Sequence, residues 1–183
     1  MKIGFLSDLH LPNNEPIPYY AAHYIKEVYD NNNLDMLFLA GDTGNNFKKT
    51  ADIVDLLSRE GLNIYYVLGN HEYWSASYQK IQSLNLPRYI NGKTVELNDD
   101  WVVIGLDGMF DFSFVTKVNN SANGKLAKDY NSLVNHGMNY FDLTRLKIGD
   151  YNEVFEAMKI ALIEQLEANK NKNIILMLHH VPT

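Results

Sequence analysis

Cysteine is absent from the 183 residues. That removes a disulfide framework, a thiolate nucleophile, cysteine-built zinc fingers and iron–sulfur clusters together. No dense run of Lys or Arg occurs, the nearest being Lys48-Lys49 and Lys170/Lys172, and the formal charge is −6. Proteins that track long stretches of nucleic-acid backbone carry the opposite balance, so duplex nucleic acid is not an expected partner. No run approaches the ~18 apolar residues of a membrane span, and the apolar start meets Ser7 and Asp8 too early for a secretory signal. A cytoplasmic protein with no membrane partner is the expectation. Neither glycine-rich phosphate-loop pattern, G-x-G-x-x-G or G-x-x-x-x-G-K-[ST], is present. What remains is 46% hydrophobic and 21% charged, the balance of one globular domain spanning 1–183.

Apolar runs and helix-spaced segments alternate in the first half. Residues 2–7, 35–40 and 63–68 read as buried strands. Residues 19–29 read as a helix with Tyr20, Tyr24 and Val28 as its apolar positions and Ile25 beside them. Residues 50–60 read as a second, with Ile53, Val54, Leu56 and Leu57 inward. Strands alternating with helices predict crossover connections and a parallel sheet. Residues 93–97 and 101–106, joined by Asn98-Asp99-Asp100, predict an antiparallel hairpin. Residues 107–148 are irregular and aromatic-rich (Phe110, Phe112, Phe114, Tyr130, Tyr140, Phe141), the character of a cap or lid over a site. A helix over 151–168 follows, with Val154, Met158, Ala161, Leu162 and Leu166 on one face, then a last strand over 173–178.

Metal-capable side chains gather where four of these strands end. In open α/β sheets ligands collect outside the carboxyl ends of the strands. Asp8 and His10 are two apart, so in extended backbone a carboxylate and an imidazole point the same way. Gly41 permits a tight turn before Asp42, whose two oxygens can bridge two cations. In Gly69-Asn70-His71-Glu72, Asn70 offers a neutral carbonyl oxygen and His71 an imidazole that titrates near neutrality. His179 and His180 follow the last strand and point to opposite sides, so one of them faces the crevice. Each motif alone also fits a capping or surface role; their coincidence at matching strand ends carries the signal. His23 and His136 lie away from strand ends and are read as a helix-face and a loop histidine.

In order, D-x-H, G-D, G-N-H-E and H-H-x-P resemble the calcineurin-like metallophosphoesterase family, whose set runs D-x-H, G-D, G-N-H-[DE], H and G-H-x-H. The resemblance implies an α/β fold, a four-layer α/β/β/α sandwich with mixed sheets, and a two-metal site at their edge. It implies that Asp8 and His10 hold one ion, Asp42 bridges, and Asn70 with His179 holds the second. His179 is preferred to His180 because the first histidine after the strand matches the family's ligand position. His71 corresponds to the residue that protonates or orients the departing oxygen, and Glu72 is expected to hold His71 in place.

No G-H-x-H occurs in the 183 residues, so the chain is expected to be a shortened form that binds metal weakly and turns over little. Two divalent ions against Asp8 and Asp42 leave a surplus of about +2 to attract a phosphate. Oxygen and nitrogen donors without thiolate suit Mn2+, favoured here, or Fe or Zn2+. The expected reaction is hydrolysis of a phosphomonoester or phosphodiester bond in a small soluble substrate by a hydroxide that two metals activate. The alternative is a non-catalytic binding or scaffold protein of the same fold.

Overall fold

The computed structural model describes residues 1–11, 19–108 and 147–180. Strands β1 (Ile3–Leu6), β2 (Met36–Ala40) and β3 (Ile64–Val67) form a parallel sheet in that order, with Phe5 opposite Phe38 and Phe38 opposite Tyr65. Helices α1 (Tyr19–Asn31) and α2 (Phe47–Arg59) lie on the crossovers. The Asn46 side chain accepts from the Lys49 amide and so starts α2. Helix α2 buries Thr50, Ile53, Val54 and Leu57, while Leu56 is only partly covered. The tyrosine spacing misplaces the buried face of α1. Ala22 and Ile25 are buried, whereas Tyr20 and Tyr24 are 81% and 58% exposed. A small alanine lets the helix approach the core, and each phenol keeps its hydroxyl in water.

Strand β2 is buried on both faces, which explains its unbroken apolar run. Leu37 and Leu39 pack with Ile25 and Ile53, and Met36 and Phe38 with Val95, Val103 and Met177. The second set belongs to another sheet, in which β4 (Lys93–Glu96) pairs antiparallel with β5 (Trp101–Leu106) and β5 pairs parallel with β6 (Asn173–Leu178). The Asn98 side chain accepts the amides of Asp100 and Trp101, tightening the expected hairpin turn.

The second sheet is thus mixed, as the resemblance implies. Among the described residues the first is parallel, as the alternation of strands and helices predicts, because helical crossovers return the chain to the same end each time. A short α3 (Tyr78–Gln82), which the apolar spacing did not announce, is capped by Ser77. Helix α4 (Tyr151–Ala168) covers the outer face of the second sheet, where Thr94 on β4 donates to Gln165 and accepts from Asn169. Val154 and Met158 of α4 are buried, and Leu166, expected with them, is 39% exposed. The layers run α/β/β/α. Among the described residues no helix is long and apolar enough to cross a membrane. Of the stretch 107–148 expected to form a cap, residues 109–146 lie outside the described residues, as do Val181 and Pro182.

Candidate metal centre

The segments that leave β1 and β2 run side by side, with the amides of Asp8, His10 and Leu11 donating to the carbonyls of Gly41, Asp42 and Thr43. Asp8, His10 and Asp42 have φ of 57°, 45° and 50°. The convergence of Asp8 and His10 thus comes from left-handed turns and not from the extended alternation anticipated above. Non-glycine residues in that region cost on the order of 1–3 kcal/mol each and gather at functional sites. Two glycines make room for the cluster. A Cβ at Gly41 would stand 2.5 Å from Nδ1 of His179, and one at Gly69 would stand 2.1 Å from Oδ1 of Asp42.

Buried Asp42 is the hub. Its Oδ2 lies 3.4 Å from Nε2 of His179, 3.7 Å from Nε2 of His71 and 3.9 Å from Nε2 of His10. His10 Nε2 is also 3.7 Å from Oδ1 of Asp8. Two groups able to hold a cation share this one carboxylate, His10–Asp42–His71 and Asp8–Asp42–His179, with the atoms of each within 4.8 Å of one another. Asn70 joins the second group, its Oδ1 3.2 Å from Nε2 of His179. His180 turns to the Gly108 carbonyl, 2.6 Å from its Nδ1.

Hydrogen bonds on the outer nitrogens fix what the inner ones present. Nδ1–H of His179 donates to the Ala40 carbonyl at 3.0 Å, and Nδ1–H of His71 donates to Oδ1 of Asn45 at 2.9 Å. In neutral imidazoles that leaves both Nε2 lone pairs facing the Asp42 carboxylate, with the Asn70 oxygen alongside. Lone pairs directed at one another call for a cation or a proton between them. Outer-nitrogen bonding of this kind also orients metal-ligating histidines.

Burial pushes the Asp42 carboxyl up, but the imidazoles of His179 and His71 and the His71 amide outweigh it and hold the group below the usual carboxylate range. Burial likewise lowers the His179 imidazole. The carboxylate of Asp42, the Ala40 carbonyl and Asp8 reverse this and take it to about 9. Burial and the neighbouring His179 charge push His180 down.

Glu72 has a different task from the one expected. It is fully buried and accepts from the backbone, at 3.1 Å from the amide of Asp42, 2.9 Å from that of Gly44 and 2.9 Å from that of Gly69, with the Thr50 hydroxyl at 2.8 Å. It stitches the Gly41–Asp42 loop to the Gly69–Asn70 loop. Burial, with the Asp42 charge, raises its carboxyl above the usual carboxylate range, against the Gly44 and Gly69 amides and the Thr50 hydroxyl, which pull it down. His71 is held instead by Asn45 and by Trp74, whose ring stacks on the imidazole at 3.8 Å. Asn45 follows Asp42 in the same loop, and no motif in the sequence marks it.

The model of the calcineurin-like phosphoesterase family matches residues 1–183, and the chain belongs to that family. Among solved structures, TT1561 of Thermus thermophilus is similar over 99% of this chain and 68% of its own, at 14% identity and a TM-score of 0.54. Phosphopantetheinyl hydrolase from Mycobacterium tuberculosis is similar over the same shares, at 18% identity and a TM-score of 0.52. At such identities the likeness shows the fold alone. No curated protein sequence matches the chain.

Proposed function

We propose that this centre holds two divalent cations and hydrolyses a phosphomonoester or phosphodiester bond in a small soluble substrate. The observation that carries the reading is Asp42 standing in both candidate groups at once, which is the geometry a bridging carboxylate needs. By distance alone Asp8 falls with His179 and His71 with His10. We assign the ions instead by the family resemblance, in which Asp8 and His10, 3.7 Å apart, would hold one ion, Asn70 and His179 the other, and Asp42 both, leaving His71 for proton transfer. Mn2+ is the first choice, with Fe and Zn2+ as alternatives, because the donors are oxygen and nitrogen. Two such cations, when bound, clamp a phosphate and make a water acidic enough to attack at neutral pH.

The chain's own residues do the rest. Ala40 and Glu72 keep His179 and Asp42 in place. His71, with Nδ1 engaged by Asn45, exchanges protons at Nε2, the atom on the Asp42 side, and supplies one to the departing oxygen.

Adding Mn2+ to metal-stripped protein should give measurable binding and slow hydrolysis of bis(4-nitrophenyl) phosphate, both abolished by Asp42→Asn. Binding without any hydrolysis would favour the scaffold reading. Mn2+ binding that Asp42→Asn leaves unchanged would remove the centre from consideration.

A further inference from the structure

We propose that Asp107 is a positioning residue of this centre, its carboxylate gripping the turn that presents Asn70 and His71 and tying that turn to the end of β5. The proposal rests on the phosphoesterase reading above. Asp107 is fully buried, directly after β5. Its Oδ1 accepts from the Leu68 amide at 2.8 Å, two residues ahead of Asn70. Its Oδ2 accepts from the hydroxyl of Tyr73, two residues past His71, and from that of Tyr89. One side chain therefore holds the Asn70–His71 turn from both flanks.

The carboxylate is itself fixed. The Asp107 amide donates to Oδ1 of Asn91 at 3.0 Å, and Gln82 donates to the Tyr89 hydroxyl at 3.0 Å. The next residue, Gly108, anchors His180 through its carbonyl, beside His179. Asp107 thus joins the loop of the first sheet to the strand ends of the second.

A carboxylate is an expensive group to bury, and simple packing at this point would be served by an apolar side chain. Burial pushes the Asp107 carboxyl up to about 7, against three donors that pull it down. Three donors converging on one group suit an ionised carboxylate. An amide, which must turn its NH2 toward at least one of them, cannot accept all three.

The test compares the 183-residue chain with Asp107→Asn in two measurements made well below the unfolding midpoint. Calorimetric titration with Mn2+ should show affinity reduced ~10–100-fold, the usual effect of removing support behind a ligand. Hydrogen exchange read by mass spectrometry should speed up in residues 68–74 and remain unchanged in α2. If Asp107→Asn fails to fold, Tyr89→Phe removes one donor only and should give the same pattern, smaller in size. Unchanged Mn2+ affinity, or exchange that rises uniformly through the chain, would make Asp107 a packing residue and overturn the proposal. A wild-type chain that binds no Mn2+ would overturn the phosphoesterase reading itself, whereas wild-type binding that Asp107→Asn leaves intact overturns this proposal alone.

Discussion

The carbonyl oxygen of Asn45 receives Nδ1–H of His71 at 2.9 Å and so decides which nitrogen of that imidazole faces Asp42. As the proton donor proposed above, His71 matters most when the departing oxygen is a poor leaving group. Nitrophenolate departs unaided and an alkoxide does not. His71→Ala should therefore slow alkyl phosphoesters ~10²–10⁴-fold more than nitrophenyl ones. Asn45→Ala should show the same bias at roughly 3–10-fold, the worth of one hydrogen bond. Rates on paired alkyl and nitrophenyl substrates check both. Equal losses on the two would assign His71 to holding cations or phosphate.

If His179 holds a cation as proposed, cation binding should depend on pH. Its imidazole titrates at about 9 in the folded chain, against 6.5 for the free side chain, because Asp42 favours the protonated form. A folded value raised above the unfolded one contributes stability that is complete below 6.5 and disappears as pH rises through about 9. Mn2+ held by His179 would have to displace this proton, so its affinity should climb by about tenfold per pH unit across that window and level off above it. Calorimetry in two buffers of different ionisation enthalpy should count close to one proton released at about pH 7.5. Binding with no proton release would place Mn2+ away from His179.

Glu72 joins two loops through three backbone amides and one hydroxyl, all buried. Glu72→Ala leaves those donors without an acceptor, and bonds to a charged group are worth about 1.5–3 kcal/mol each. A loss of at least about 3 kcal/mol is expected in urea unfolding, with Mn2+ binding lost as well. A change under about 1 kcal/mol would mean that water replaces the carboxylate freely.

Gly69 is fixed by the space it leaves. A methyl group there would stand only 2.1 Å from Oδ1 of Asp42, so Gly69→Ala must displace the hub carboxylate or the loop. The variant should keep its secondary structure by circular dichroism and lose Mn2+ affinity. At Gly61 a Cβ meets nothing within 4 Å, although φ is +92°. Gly61→Ala should thus lower stability modestly and spare binding, which makes it the control.

The strand and helix order was legible because burial imposes a period. Strand β2 is covered on both faces and reads as an unbroken apolar run, while the α2 inward set follows the helical spacing. Tyr20 and Tyr24 kept the helical spacing but not the inward face, since spacing alone does not say which stripe meets the core. Around the centre, residue types and strand ends were readable and backbone shape was not. Nothing in the letters of Asp8 and His10 announces a left-handed φ. The supports of the centre escaped for another reason. Asn45 reaches His71 across 26 residues, a contact that exists only once β2 and β3 pair, and Asp107 reaches Leu68 across 39, a contact that exists only once the two sheets pack.

The central claim is a pair of cations bridged by Asp42, and anomalous diffraction from Mn2+-soaked crystals of this chain tests it most directly. Two peaks roughly 3.5–4 Å apart, with the Asp42 carboxylate between them, Asp8 and His10 on one and Asn70 and His179 on the other, are the predicted result. A single peak that Asp42 does not touch, or two peaks with no shared carboxylate, would contradict the account.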